Sequence, residues 1–587
     1  MRLIPLAPAA ITAAIGLAAA PAPAWADTPV EISGGDEEMR EAIAALLPDR
    51  DRPESLFDAE RIAEEAASRA MAWLRSEGYY GARVTPEADE EPPRARLIIE
   101  PGPLFLFDTP SIAYQDAAPD EATARAVSDT LAPIQTNQPA RAISVLETEA
   151  AALATLHNAG YPDAEAGERS VVVDHATSRV SAELRLSAGA RARLGAVRVE
   201  PSETLRASFV DDLQNWDDGA LYTPRALSRL RRDITGTGAI SRANTRLGEP
   251  DANGVRDVIV DVEPARRNAY ELGLGYSTTE GALLEAEWTR RNYTRRADAL
   301  SVSLALGEML QSINGELSRP HAAGLGRTRN YGATLAREES EAFTRQGVAL
   351  YYSIDAAPRL AFAQSYGLQL SADTFDNVGA GVSNAYVLSG FWDVRRDSTE
   401  IRLDPRDGSV VDLRLEPSVA AGDASLGFVR AIADARIYES FGEQDRITLA
   451  ARARTGWLEA VAGNAEDIPA DRRFYAGGGG SVRGYAYNSI YPEERDLLGL
   501  TQGGQGMLET SAELRWRFGE RWGAAAFVDG GNAFDSWEEA GDLRWGAGVG
   551  LRYNLGFAPL RVDIAFPLDD SETDDDYAFY ISLGQAF

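Results

Sequence analysis

The sequence predicts an α+β array followed by an all-β, 16-stranded antiparallel transmembrane β-barrel. Three observations predict it. In the first half, amphipathic helices end at glycine turns spaced 160 − 78 = 82 and 238 − 160 = 78 residues apart (Gly78, Gly160, Gly238), which marks a repeated small unit. From about Arg266 onward helical periodicity vanishes, and apolar residues alternate with charged ones at a period of two. The N-terminus, finally, carries an export signature rather than the start of a domain.

That signature consists of Arg2, an alanine-rich apolar run to about Ala20, and Pro21-Ala-Pro-Ala-Trp-Ala26. Ala24 and Ala26 satisfy the small-x-small rule for cleavage before Asp27, so residues 1–26 are expected to be a signal peptide. After residue 26 no 18-residue apolar segment occurs, so no transmembrane helix is expected. A chain of 587 residues exceeds what one core usually supports. With no cysteine, disulfide and thiolate chemistry are excluded. Lysine is also absent, so every cationic side chain of the sequence is arginine. A net charge of −32 opposes nucleic acid and anionic headgroups as partners.

Three units fill the first half, at 27–103, 104–190 and 191–265. Helical spacing runs through Ile62, Ala66, Ala70, Trp73 and Leu74, then Ile143, Leu146, Ala150, Leu153 and Leu156, then Leu227, Leu230 and Ile234. A glycine beyond each helix suits a left-handed cap. Each unit closes on a short apolar strand: Ala95–Glu100, Val180–Leu186 and Val258–Glu263. Two helices and three strands per unit make a small α+β module, the first opening on a strand at Val30–Ile32.

The barrel occupies 266–587. Val411, Leu413 and Leu415 alternate with Asp412, Arg414 and Glu416, and Leu508, Ala512, Leu514, Trp516 and Phe518 alternate with Glu509, Ser511, Glu513, Arg515 and Arg517. Lipid on one face and a watery lumen on the other accounts for such a pattern; a sandwich core does not. At 587 − 266 + 1 = 322 residues, the segment allows roughly 20 residues per strand and turn, hence 16 strands. Closure satisfies every strand edge, as hydrocarbon demands. The closing strand is read as Tyr577–Phe587, with Phe579, Ile581, Leu583 and Phe587 on its outer face. It must meet a first strand at about Asn268–Ser277, whose Tyr270, Leu272, Leu274 and Tyr276 face out. Gly273 and Gly275 weaken packing at this seam, or equally give room for close packing.

One long loop interrupts the pattern, at about 459–505. Its tip, Gly477-Gly-Gly-Gly-Ser-Val-Arg-Gly-Tyr485, cannot be a helix or strand interior, because glycine loses the most backbone entropy on ordering. Long ordered loops of this kind are usually functional.

The signal peptide, the module array and the barrel together resemble the Omp85 superfamily, and the modules resemble its periplasmic POTRA domains. The most specific residues are Val482, Arg483, Gly484 and Tyr485, which match the superfamily's motif on an inward-folded loop. The resemblance implies that Arg483 bonds acidic residues on neighbouring inner strand faces. Glu513 and Asp529, the latter in Ala524-Ala-Ala-Phe-Val-Asp-Gly-Gly-Asn532, stand in the matching places. Asp393–Gly408 resembles a periplasmic turn of the superfamily, with Pro405 fixing φ and Gly408 permitting φ > 0.

Within the superfamily, three modules are most similar to the TamA branch. That resemblance implies assistance to the assembly of autotransporters and other outer-membrane proteins as substrates. It also implies contact with outer-membrane lipids, and a TamB-like, inner-membrane-anchored, periplasm-spanning partner. A two-partner secretion pore, which would carry a plug helix before two modules, and a general barrel-assembly insertase are the alternatives. No enzyme, cofactor or metal site is expected: the only histidines of the sequence are His157, His175 and His321, none at metal-ligand spacing, and there is no Gly-x-Ser-x-Gly elbow.

Overall fold

The computed structural model describes residues 30–340, 342–359, 362–377, 381–492, 502–556, 558–569 and 575–587. Ala24 and Ala26 lie outside the described residues. The chain divides into two compact units whose boundary runs through the third module, so that Ala196–Asp217, Leu227–Glu249 and Asp257–Phe587 form one of them.

In the first module, Ser55 caps the helix Leu56–Ser76 by accepting a hydrogen bond from the Asp58 amide at 3.2 Å. Such a cap contributes about 1 kcal/mol. Ala59, Ile62, Ala63, Ala66, Ala70 and Leu74 form one buried stripe of this helix. They pack on Leu97 and Ile99 of a three-stranded sheet whose central strand is Pro93–Glu100.

The second module departs from expectation twice. Its sheet has five strands rather than three, because short strands at Leu106–Phe107, Ser111–Tyr114, Glu165–Ala166 and Ser170–Asp174 all pair with Arg179–Ser187. The inward face of its helix Ala142–Asn158 is Val145, Thr148, Glu149, Ala152 and Leu156, while Ile143 and Leu146 are exposed. Alanine-rich helices carry apolar residues on several faces, and here the larger Ile143 and Leu146 lie off the core-facing stripe. Arg169 salt-bridges the buried Glu149 at 2.7 Å, which explains a carboxylate on the inner face.

Asp116 organises the end of this module. Its carboxylate accepts from Ser187 Oγ at 2.8 Å and from the amides of Ala188 at 2.9 Å and Gly189 at 2.7 Å. The Ala188 amide, the Ser187 hydroxyl and the Gly189 amide hold its pKa below the ordinary carboxylate value. A depressed folded-state pKa stabilises above the unfolded value, near 4, and that stabilisation is lost as pH falls through the folded one. The first melting transition of the intact protein is therefore expected to sit higher than that of Asp116→Asn at pH 7. The two should converge as the pH is lowered below about 4. A difference independent of pH would sink this assignment.

Sixteen antiparallel strands, from Asn268–Ser277 to Ala578–Leu583, each pair with the next in sequence and close into a barrel. Leu413, Leu415, Leu449, Leu514 and Trp516 point outward and are exposed, while Glu416, Asp434, Glu513 and Arg515 are buried toward the lumen. Third-module residues meet the turns at one barrel end. Arg296 donates to Asp212 and Ser208 at 2.9 Å, and Asn292 to the Thr204 carbonyl at 2.8 Å. His321 accepts from the Gly326 amide through Nδ1, so its Nε2 carries the proton and donates to the Asp233 carbonyl at 3.0 Å. Those turns, 292–298 and 320–326, mark the module-side end of the barrel, and the turn at 398–407 lies at the same end by strand direction. There Asp397 caps the Thr399 amide at 3.0 Å and Gly408 has φ +102°.

Candidate functional site

The strand Ile447–Ala462 continues past Glu459, so the long loop begins at 463 and returns to the wall at Gly506–Phe518. Of its tip motif, Val482, Arg483 and Tyr485 are buried inside the barrel. Gly484 has φ +109°, and a β-carbon there would stand 2.9 Å from the Pro567 nitrogen, so both conformation and space require glycine.

Arg483 meets the wall through every face of its guanidinium. Nε and Nη2 donate to Asp529 at 2.7 and 3.0 Å in a two-pronged fork, and Nη1 donates to Glu513 at 2.9 Å. The same Nη1 also reaches Asp563 at 3.3 Å. The guanidinium carbon lies 3.3 Å from the centroid of the Phe527 ring, a contact worth about 2 kcal/mol when desolvated. Arginine suits this place because its planar fork takes carboxylates bidentately and stacks on an aromatic face, which an ammonium cannot do.

Three strands supply the carboxylates: Gly506–Phe518, Trp522–Phe534 and Pro559–Pro567. Two of the carboxylates, Glu513 and Asp563, are in turn paired on their far sides. Arg515 donates to Glu513 at 2.8 Å, Arg552 bonds Asp563, and Arg561 lies 3.6 Å from it. Buried charge is tolerable only when matched in this way.

Asp563 is a third partner, which the motif does not mark. It sits in Arg561-Val-Asp-Ile-Ala-Phe566, where Arg and Asp alternate with Val and Ile, so the signal that pointed to Glu513 was present here too. A second attachment was not legible at all. Within the loop, Asp471 accepts from Arg345 at 2.8 Å, and Arg472 donates to Glu416 at 2.9 Å and to Ser371 at 3.3 Å. Ile468 and Phe474 add an apolar plug against Phe343, Phe375, Phe428 and Met507. Loop and wall thus share a core.

The seam is where the barrel is weakest. The first strand pairs with the second from Asn268 to Ser277, but with the last strand only at Tyr276 (opposite Ile581) and Ser277 (opposite Tyr580). Tyr270, Leu272 and Leu274 face outward and are among the most exposed apolar residues, at 73%, 76% and 69%. Gly275 would bring a β-carbon 3.8 Å from the Ile581 carbonyl; Gly273 faces only the flexible Glu285 side chain, at 3.0 Å. Phe579, Ile581 and Leu583 lie on the last strand, whose final residue is Leu583.

Phe587 does not join that strand, contrary to the expectation of an unbroken lipid-facing run. Gly584, at φ +89°, turns the chain inward. The Gln585 amide donates to the Leu403 carbonyl at 3.1 Å and its side chain to Asp404 at 2.9 Å. The Phe587 ring packs beside Val410, Tyr438 and Ala450, 5.6 Å from the Arg515 guanidinium carbon.

A closed 16-stranded barrel, its lumen occupied by a loop clamped through a Val-Arg-Gly-Tyr tip, defines a class of outer-membrane protein. The Omp85 superfamily domain matches residues 268–587, and the chain belongs to that superfamily. Its barrel accordingly sits in an outer membrane, with POTRA-like modules on the periplasmic side. Among curated proteins, the outer membrane protein assembly factor BamA of Nitratidesulfovibrio vulgaris (strain Hildenborough) is 24% identical over 413 residues, covering 67% of this chain and 51% of the relative. The chain thus spans about half the length of the curated relative it matches. Among solved structures, BamA from Haemophilus ducreyi lacking POTRA domains 1–3 superposes with a TM-score of 0.65 at 16% identity, over 80% of this chain and 98% of that one. CdiB from Acinetobacter baumannii, with a TM-score of 0.44 at 13% identity over 82% of this chain and 90% of that one, is too distant to weigh.

Proposed function

We propose that this protein inserts or translocates other outer-membrane proteins, with the edge of its first strand as the template for an incoming strand. The observation that carries this reading is the short seam. Among the described residues, the first strand has no registered partner on the last from Asn268 to Gly275. Unpaired backbone groups in hydrocarbon cost several kcal/mol each, so a substrate strand that pairs with them is strongly favoured. Addition of a strand to an open edge needs no sequence match, which suits a factor with many clients.

The finer reading is a TamA-like factor for autotransporters and other β-barrel proteins, its POTRA modules docking a TamB-like periplasm-spanning partner. Three α+β modules before the barrel support it. A general barrel-assembly role is the second reading, supported by the assembly-factor name of the curated relative.

The chain has no cysteine, so a Tyr276→Cys, Ile581→Cys pair can lock the seam cleanly. Vesicles containing the oxidised protein are expected to fold an added unfolded barrel no faster than empty vesicles, and reductant should restore the acceleration. Equal rates in both states would show that the seam is not the working site. Crosslinking in intact cells separates the two finer readings. A very long inner-membrane-anchored protein on the modules supports the first, and small outer-membrane lipoproteins the second.

A further inference from the structure

The glycine-rich tip touches both flanks of the seam. On one flank, Glu280 in the turn after the first strand accepts from the Gly479 amide at 2.7 Å. On the other, the Tyr580 hydroxyl of the last strand accepts from the Gly484 amide at 3.1 Å. Glu280 is itself placed by the seam, because its amide donates at 2.9 Å to Ser277, the residue opposite Tyr580. The turn adds one more tie, with Thr278 and Phe579 exchanging bonds of 3.0 Å.

The run of glycines fits this placement residue by residue. A β-carbon on residue 478 would stand 3.0 Å from Glu280 Oε1, and one on residue 479 would stand 3.1 Å from the Tyr580 ring. One on residue 480 would meet nothing within 4 Å. Bare backbone is needed where the tip crosses between the two flanks, and not one residue later.

We propose that residues 479–484 form a strap across the seam, fastened by Glu280 on the first side and Tyr580 on the last. Glu280 and Tyr580 are then positioning residues that hold closed the part of the seam where backbone pairing is registered. Because Arg483 lies within the strap, leaving its carboxylates and opening the seam become one event. This rests on the seam being the working site.

The test reads seam closure directly. In full-length protein carrying Tyr276→Cys and Ile581→Cys in lipid vesicles, the initial rate of disulfide formation under limiting oxidant reports the closed fraction. Gly479→Ala and Tyr580→Phe should each slow it several-fold, Glu280→Ala likewise, and Glu280→Gln, which keeps an acceptor, less. Gly480→Ala should match the parent pair. Tyr580→Phe retains the ring and removes only the hydroxyl, so it guards against misfolding as the cause. Equal rates in Gly479→Ala, Glu280→Ala and Tyr580→Phe would overturn the strap. If those variants slow the disulfide while client folding is unchanged, the strap stands and the assignment of the seam as working site fails.

Discussion

Replacing Arg483 with alanine is expected to release the long loop from the lumen. The change leaves Asp529, Glu513 and Asp563 buried, at 0%, 1% and 1% exposure, without the cation that joins them. Removing one member of a buried ionic cluster costs about 3–5 kcal/mol, far more than an exposed pair contributes. Arg515, Arg552 and Arg561 stay beside Glu513 and Asp563, so the barrel wall itself should still fold. Among the described residues Asp529 has no such neighbour in reach, so it carries most of the penalty. The expected result is a folded barrel whose loop near residue 483 becomes open to protease, with loss of client folding. Arg483→Lys should fall between, since it restores charge without the fork or the stack on Phe527. A loop as protected in Arg483→Ala as in the parent would contradict this account.

How far this site could be read in advance depended on range. Alternation along one strand is local, so the wall of lumen-facing charges, including Glu513 in Glu509-Thr-Ser-Ala-Glu513, was legible directly. The pairing of Arg483 with Asp529 spans 46 residues and came only through resemblance to a motif. Asp471 with Arg345 spans 126 residues and has no motif, so nothing local marked it. The same limit explains Phe587. Its place in an alternating run suggested lipid, but the bonds from Gln585 to Leu403 and Asp404, some 180 residues away, turn it inward. Helix faces failed for another reason. In Ala142–Asn158 nearly every face is apolar, and burial was settled by which face met the sheet.

The loop's two attachments lie on different parts of the wall. Asp471 and Arg472 hold strands Phe343–Arg359 and Gly408–Gly422, whereas Arg483 holds Gly506–Phe518, Trp522–Phe534 and Pro559–Pro567. A loop tied at one place could swing; tied at both, it braces the lumen. Freeing the tip therefore leaves the base anchored, and the tip can move, and the seam open, while the rest of the wall keeps its shape.

Gly546→Ala is expected to displace the tip without altering a single charge. Gly546 lies in the strand Arg544–Asn554, directly beneath the motif. An added β-carbon would stand 2.1 Å from the Arg483 carbonyl oxygen and 3.3 Å from its carbon. The obstacle is backbone, so no side-chain rotation relieves it, and either the loop or the strand must give. The strand is held by ladders on both sides at this position, to Asp529 and Pro567. The loop is held here mainly by side chains, so the loop moves. Overpacking of a filled core costs about 1–3 kcal/mol, and here part of that comes from pulling Arg483 out of its fork. Protease should then cut near residue 483 as it does in Arg483→Ala. Gly315→Ala, where a β-carbon meets nothing within 4 Å, serves as the silent control. Because both changes release the same tip, the double variant Arg483→Ala, Gly546→Ala should be little worse than Arg483→Ala alone, a clear departure from additivity. Additive losses would mean that Gly546 acts on the strand rather than on the loop.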